Sequence, residues 1–478
     1  MASAKEADTR QTIIKDLFDK FFKTAFPKMR DKLGIVYTPV EIVDFMNRSV
    51  ADLLQKEFGK TINEHGLHIL DPFTGTGTFI VRLLQSGLIN KEDLTYKYEN
   101  DIHANEIVPL AYYIAAMNME TAYHDIIDNA EYKPNDILVW TDTFASNDKS
   151  DIFKTELSVN NENLDKENKA DIRVIIGNPP YSVGQESQND DNANEHYDLL
   201  DRRLQETYVD RSNATLKGKL FDSYIRAYRW ASDRIKDSGI VAFITNAGWL
   251  DSASADGMRK CMVEEFNSIY IYHLKGNART SGEQRRKEKD NVFGEGSRAP
   301  VAIVFLVKNP ASKEKGKIYF HSVDDYLTRE QKLKEVSDFG SIANMTWEEI
   351  IPDKHGDWLN QKDDSFEKYI SIIDKANSHT PAIFKDYAVG ISTNRDAWVY
   401  NSSKTDLKKN LDRTIKSYNT AVDRVKNGEA VSNVISSTTN DIAWTVGSKS
   451  KFSQLIKQNF DENNIIEGMY RPFNKQNL

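Results

Sequence analysis

The chain has 478 residues, too many for one ordinary hydrophobic core, and its 39% hydrophobic and 10% aromatic content excludes a disordered polypeptide. Its one cysteine, Cys261, excludes an internal disulfide and a zinc site built on paired cysteines, and the nine histidines show no HExxH-like spacing, so no metal is expected. A net charge of −9 argues against a uniformly phosphate-binding surface, though a local basic patch can coexist with acidic flanks.

The opening "MASAKEADTRQTIIKDLF" has no signal-peptide core, and nowhere do about 18 apolar residues run together, so a cytoplasmic protein without membrane contact is expected. Residues 9–30 place Ile13, Ile14, Leu17, Phe18, Phe21 and Phe22 at helical intervals. A "YTP" turn follows, then a second amphipathic helix over residues 40–58.

From about residue 66 the pattern becomes strand, turn, helix. "GLHILD", "DIRVIIGN", "GIVAFITN", "SIYIYHLKG" and "VAIVFLVKN" are short β-branched apolar runs, several of them alternating with helical stretches such as "EIVPLAYYIAAMNME" and "DSYIRAYRWASDRIK". This alternation predicts a mostly parallel sheet covered on both faces, with ligands bound beyond the carboxyl ends of its strands. Two polar, Asn- and Asp-rich segments, residues 143–169 and 185–219, read as surface loops or lids. Past about residue 325 the alternation fades, Trp347, Trp358 and Trp398 appear, and a separate domain is expected.

The residues after each strand carry the chemistry. In "DPFTGTGTF", Gly75 and Gly77 let the backbone turn tightly, and the helix behind them offers free N–H groups to an anion. The third glycine of G-x-G-x-x-G falls on Ile80, and no Gly-Lys-Ser/Thr follows, so neither a dinucleotide fingerprint nor a P-loop is present. What remains suits a small zwitterion, and a bare strand–helix turn would read the same. Glu106 in "HANEIVPLAYYIA", expected at a helix start, can accept from both hydroxyls of a ribose or simply complement the helix dipole. Asp142 in "ILVWTDTF" can accept from an exocyclic amine.

In "NPPY" neither proline has an N–H, and the second restricts Pro179 to extended conformations. The Asn178 side-chain oxygen and the Pro179 carbonyl make two fixed acceptors for the two hydrogens of one amine, drawing its lone pair out of conjugation. Tyr181 can stack on the ring that carries the amine. The tetrapeptide alone leaves adenine, cytosine, guanine and the glutamine side chain open as targets, and a proline turn with a structural tyrosine reads alike.

"DPFTGTG", "NEI", "TDTF" and "NPPY", in this order, resemble the S-adenosylmethionine-dependent N6-adenine DNA methyltransferases. "GIVYTPVEIVDFM" upstream of the glycine loop resembles the family's gamma arrangement. "FFKTAFP", "HLKGNARTSGEQRRKEKDNVFGEGSRAPVAIVFLVKN", "GISTNRDAWVYN" and "YRPFN" resemble the modification part of single-chain Type ISP restriction-modification enzymes, and the resemblance covers nearly the whole chain. It implies an α/β fold: a Rossmann-like S-adenosylmethionine-dependent methyltransferase sheet with N-terminal helices and a C-terminal α+β region. The expected divisions are an N-terminal helical segment over 1–60, a catalytic core over 61–325, and a linker with the start of a target-recognition domain over 326–478.

The resemblance implies cofactor contacts at Tyr37, Thr38, Pro39, Asp71, Phe73, Gly75, Gly77 and Glu106, with Asp142 near the cofactor adenine. It implies Asn178, Pro179 and Tyr181 as the target-adenine site, and Phe293 in "NVFG" as a second aromatic face for a flipped base. The implied partner is double-stranded DNA, and the implied setting a restriction-modification system. Arg279, Arg285, Arg286, Lys287, Lys289 and Arg298 flank Phe293 and can meet phosphates, although Glu283, Glu288, Asp290 and Glu295 are interleaved with them.

Two departures matter. No nucleotide-binding G-x-x-x-x-G-K-[ST] is present, so neither a motor nor a complete restriction enzyme is expected, and nuclease and helicase parts of a restriction system are expected to be absent from this chain. The chain stops just past "YRPFN", where the family's specificity domain normally continues, so an incomplete recognition domain is expected, as in a fragment, an excised piece or a decayed gene. The alternatives are a glutamine-amide or RNA-guanine methyltransferase with the same NPPY chemistry, or a catalytically silent DNA-binding remnant.

Overall fold

A computed structural model describes residues 38–127, 132–145, 158–180, 197–294 and 297–363, and beyond these 365, 368–374, 381–386, 390, 391, 393, 395–439, 441–471 and 474–478. The helix expected over residues 9–30, Tyr37 and Tyr181 lie outside the described residues. The chain divides into two compact units, at Lys362 and Asp363.

The first unit is built on a nine-stranded sheet of order β3-β2-β1-β4-β5-β7-β6-β8-β9. In chain order the strands are β1 (His68–Asp71), β2 (Ile102–Glu106), β3 (Leu138–Trp140), β4 (Ile172–Gly177), β5 (Gly239–Asn246), β6 (Ser268–Lys275), β7 (Val301–Lys308), β8 (Lys317–Ser322) and β9 (Glu348–Ile350). β1 pairs in parallel with β2 and β4, as do β2 with β3 and β4 with β5. β7 runs antiparallel between β5 and β6. The chain winds outward from β1 to β3, then returns to lay β4 on the other side of β1. That reversal opens a crevice at the carboxyl ends of β1 and β4, where open α/β sheets bind ligands.

The strands form where the apolar runs predict them. In β7, Val301 through Val307 are fully buried, and each large aliphatic side chain so covered contributes about 1.5–3 kcal/mol. Helix α1 (Val40–Phe58) starts at Pro39, whose fixed φ suits a helix entry, and ends at Gly59 in the left-handed region. It buries Ile42, Val43, Phe45, Met46, Val50, Leu53 and Leu54, the side the periodicity marks. Helices α2 (Thr78–Gln85) and α3 (Pro109–Ile126) follow β1 and β2.

The two polar segments are not wholly loops. Helix α4 (Ser158–Lys169) lies in the first and α5 (Asp198–Leu204) in the second. α4 carries almost no apolar stripe and is held by polar contacts, which periodicity does not register. Asn160 accepts from the Trp140 N–H at 2.8 Å and donates to the Trp140 carbonyl at 3.1 Å, while buried Glu167 accepts from Asn105 at 3.0 Å. Helices α6 (Ser223–Arg234), α7 (Asp256–Glu265), α8 (Gly282–Glu288) and α9 (Arg329–Phe339) follow in the same unit.

The unit extends past the boundary expected at 325, because α9 and β9 pack on it. Trp347 stacks edge-on to Tyr270 at 5.4 Å, and Trp358 does the same to Trp249 at 5.4 Å. The second unit has helices α10 (Lys404–Lys426), α11 (Val431–Ser437) and α12 (Val446–Ser453), and a hairpin of β10 (Glu467–Arg471) and β11 (Asn474–Asn477). Its small core gathers Tyr418, Ala421, Val422, Val434, Ile442, Trp444 and Phe452. Among the described residues no helix is long and apolar enough to cross a membrane, and no His/Cys/Asp/Glu group could hold a metal ion.

Candidate active site

Four strand ends converge on the crevice. At the end of β1, Asp71 is fully buried, and its Oδ1 accepts from the Phe73 N–H at 3.1 Å. Its Oδ2, also buried, accepts no hydrogen bond among the described residues. Burial, with the Glu106 charge adding, pushes this carboxyl up to about 8. Gly75 (φ +57°) and Gly77 (φ +87°) sit in the left-handed region, and a Cβ on Gly77 would meet Met119 and Ala115 of α3. The loop therefore depends on glycine both for its turn and for close helix packing.

Glu106 is the last residue of β2, not the first of a helix as expected; α3 starts at Pro109. Its Oε2 accepts from the Gly75 N–H and its Oε1 from the Val108 N–H, both at 2.7 Å. One carboxylate thus spans the ends of β1 and β2, with a second lone pair on each oxygen for a ligand hydroxyl. Burial raises it to about 7, although the backbone N–H groups of Val108, Gly75 and Ile107 pull it down.

Asp142 follows β3. Its Oδ1 accepts from the Phe144 N–H at 3.0 Å and its Oδ2 from the Tyr197 hydroxyl at 2.9 Å. Tyr197 is held in turn: Arg226 lies 5.5 Å over its ring and grips Asp201 at 2.7 and 3.0 Å. Nothing in the sequence pattern marks Tyr197, because its partner is 55 residues away. Phe73 turns its ring to Phe144 at 5.4 Å and Phe243 at 6.2 Å, and so serves as a wall of the core.

Asn178 and Pro179 follow β4, and the Asn178 Nδ2 donates to the Thr38 Oγ1 at 3.0 Å. This links the "YTP" segment to the "NPPY" segment. The amide N–H engaged by Thr38 fixes which end of the side chain acts as acceptor. Pro39 supplies the first carbonyl of α1, accepting from Ile42 and Val43 at 3.1 and 3.2 Å. Gly177 was not singled out by sequence reasoning; a Cβ there would lie 2.8 Å from Asp71 Oδ1. Its only sequence signal is a glycine ending an otherwise apolar strand.

Phe293 arrives on the connection from β6 to β7. Val301, where that connection ends, pairs with Asn246 at the carboxyl end of β5. The connection therefore lies on the same sheet edge as Asp71 and Asn178. The Phe293 N–H donates to Asn291 Oδ1 at 2.9 Å, and its ring packs partly on the core. The basic stretch beside it contains α8, and some of its charges are locally matched: Arg286 with Glu283 at 3.3 Å, Lys287 with Asp325 at 3.4 Å.

A doubly wound sheet with a glycine loop, a buried glutamate joining two strand ends and an oriented Asn-Pro-Pro at one edge defines the methyltransferase class. A family model described as the Eco57I restriction-modification methylase matches residues 95–279, and one described as the Type ISP C-terminal specificity domain matches residues 382–478. The solved structure of a nuclease-deletion mutant of the Type ISP restriction-modification enzyme LlaGI with a DNA substrate mimic is 42% identical, with TM-score 0.86 over 98% of this chain. The ATP-dependent Type ISP enzyme LlaBIII bound to DNA is 40% identical, with TM-score 0.87 over 99%, and the DrdV–DNA complex 35% identical, with TM-score 0.87 over 98%. This chain spans 38%, 31% and 46% of those three chains respectively. A comparison with curated proteins returns no match. The chain carries an Eco57I-type methylase domain and a Type ISP C-terminal specificity domain, and over nearly all its length it is similar to the modification part of the Type ISP enzymes.

Proposed function

We propose that the chain transfers a methyl group from S-adenosylmethionine to the N6 amine of an adenine flipped out of duplex DNA, as the modification activity of a restriction-modification system. The observation that carries the proposal is the Asn178 amide, oriented by Thr38 at the switch point of the sheet and one residue from the Gly177–Asp71 contact. An amide so fixed, followed by a carbonyl without a competing proline N–H, presents two acceptors to the two hydrogens of one amine.

The residues fit the cofactor. The buried Asp71 Oδ2 is an acceptor in need of a donor, Glu106 can take both ribose hydroxyls, and Asp142, at the end of the neighbouring strand, is a carboxylate that can accept from an exocyclic amine. Bound there, S-adenosylmethionine supplies an electrophilic methyl group on a sulfonium. Asn178 Oδ1 and the Pro179 carbonyl hold the amine hydrogens, so the nitrogen lone pair is left available for in-line attack. Positioning supplies most of the acceleration, and no strong general base is needed, since the amine becomes acidic only as the new bond forms. Phe293, with Tyr181, offers π-faces that offset the stacking an extruded base loses.

Duplex DNA is the proposed partner, and the relatives bound to DNA or a DNA mimic support that choice. The relatives' remaining length is where nuclease and motor parts would lie. The test is incubation of the chain with labelled S-adenosylmethionine and, separately, mixed-sequence duplex DNA, RNA and release-factor protein. N6-methyladenine in DNA is the expected product; label in RNA or protein alone, or on cytosine, would overturn the reading.

A further inference from the structure

We propose that Lys332, on α9, is a positioning residue that fixes the Phe293 segment for capture of the target base. The inference rests on the reading of Phe293 as a wall of the target pocket. Lys332 is fully buried, and its Nζ donates to the carbonyls of Glu288 at 2.9 Å and Asp290 at 2.7 Å. One helical turn earlier, Arg329 Nε donates to the Val292 carbonyl at 2.9 Å. Residues three apart share a helix face, so one face of α9 grips three carbonyls in the five residues that lead into Phe293.

The grip is matched from within the connection. Buried Asn291 donates to the carbonyls of Gly276 at 3.2 Å and Ala299 at 2.8 Å, closing the two ends of the connection on each other, and its Oδ1 holds the Phe293 N–H. Buried Glu288 accepts from the Asn277 N–H at 3.0 Å and from Gln284 at 3.1 Å. The chain turns sharply between the two carbonyls that Lys332 holds, with Lys289 at φ +49°. Two carbonyls brought together in this way need a donor that reaches both, which the lysine ammonium does and an apolar side chain of similar length does not.

A buried ammonium is costly to desolvate, and burial pulls this one down to about 8 even with Glu288 nearby. Such a group is an expensive fixture for a connection that needs only to be closed. It suits one that must hold an aromatic ring still. α9 would thus take part in base capture without touching a reacting atom.

The test uses the full chain and a duplex carrying 2-aminopurine at the target adenine, the site having been located by sequencing plasmid DNA that the chain has methylated. Lys332→Met, Arg329→Leu and Phe293→Ala are compared for hydrogen exchange, cofactor affinity, 2-aminopurine fluorescence and transfer. The expected result for Lys332→Met is faster amide exchange over residues 288–294 with exchange over 68–80 unchanged, cofactor affinity within about twofold, and kcat/KM on paired duplex lower by about tenfold to a hundredfold. A duplex with a mispaired target should recover much of that loss, because extrusion then costs less. Arg329→Leu, at a partly exposed position, should move the same readouts in the same direction by less.

Unchanged exchange over 288–294, or a loss of cofactor affinity that matches the loss of transfer, would overturn the positioning role. A Phe293→Ala chain that extrudes 2-aminopurine normally would overturn the reading of Phe293 and this inference with it. No transfer to any DNA by the unsubstituted chain would overturn the proposed function itself.

Discussion

The Thr38 hydroxyl accepts from the Asn178 amide at 3.0 Å across 140 residues of sequence. The threonine of "YTP", assigned by resemblance to the cofactor, therefore also sets the orientation of the residue proposed to hold the target amine. Thr38→Val keeps the shape and removes the acceptor, so the expected outcome is a fall in single-turnover methyl transfer of about tenfold or more with cofactor affinity preserved. Thr38→Ser should restore transfer. Loss of calorimetric cofactor affinity in the valine variant would assign Thr38 to the cofactor instead.

Asn178→Ala removes one of the two proposed acceptors without touching Asp71 or Glu106. Cofactor binding is expected to remain and transfer to disappear. Calorimetry on the substituted chain, beside a transfer assay, separates the two.

Gly177→Ala places a methyl group 2.8 Å from the Asp71 Oδ1. Overpacking a buried site of this kind costs about 1–3 kcal/mol, and here the atom displaced belongs to the proposed cofactor site. A lower melting temperature together with weaker cofactor binding is expected. If only stability changed, Asp71 would not be a cofactor contact.

Burial lifts the carboxyls of Asp71 and Glu106 to about 8 and about 7. Both lie above their unfolded values, so the native chain holds these protons more tightly. The resulting stabilisation is present at low pH and is lost as pH rises through 7 and 8. Cofactor binding has the opposite slope, since donors from a ribose and an ammonium favour the ionised carboxylates. Affinity for S-adenosylmethionine is expected to rise from pH 6 to pH 8 with uptake of protons by the buffer. Glu106→Gln should flatten the lower part of that rise, and a pH-independent affinity in the unsubstituted chain would count against both assignments.

Arg286 is 77% exposed at its side chain, on α8 beside the Phe293 segment. If it meets a phosphate, Arg286→Ala should weaken binding to duplexes of any sequence and reduce the slope of log affinity against log salt by about 0.9. An unchanged slope would leave Arg286 as a solvated partner of Glu283.

The local elements and the order of the site motifs were legible in the sequence, because both depend on short-range chemistry. The apolar periodicity of residues 40–58 marks the buried face of α1, and "HIL", "RVIIG" and "VAIVFLV" are strands that few other conformations would bury so completely. "DPFTGTG" and "NPPY" announce themselves through glycine and proline, whose backbone limits are intrinsic. Other features were decided only in three dimensions. Strand order places β4 beside β1 and turns β7 antiparallel between β5 and β6, and no local pattern encodes a neighbour in a sheet. The helical state of residues 158–169 comes from polar anchors such as Asn160 on Trp140, invisible to a search for apolar stripes. The bond from Thr38 to Asn178, the space Gly177 leaves for Asp71, and the grip of Lys332 on the carbonyls before Phe293 join residues distant in sequence. The sequence named the groups proposed to carry the chemistry; their orientation depends on contacts that exist only once the sheet has brought its strand ends to one edge.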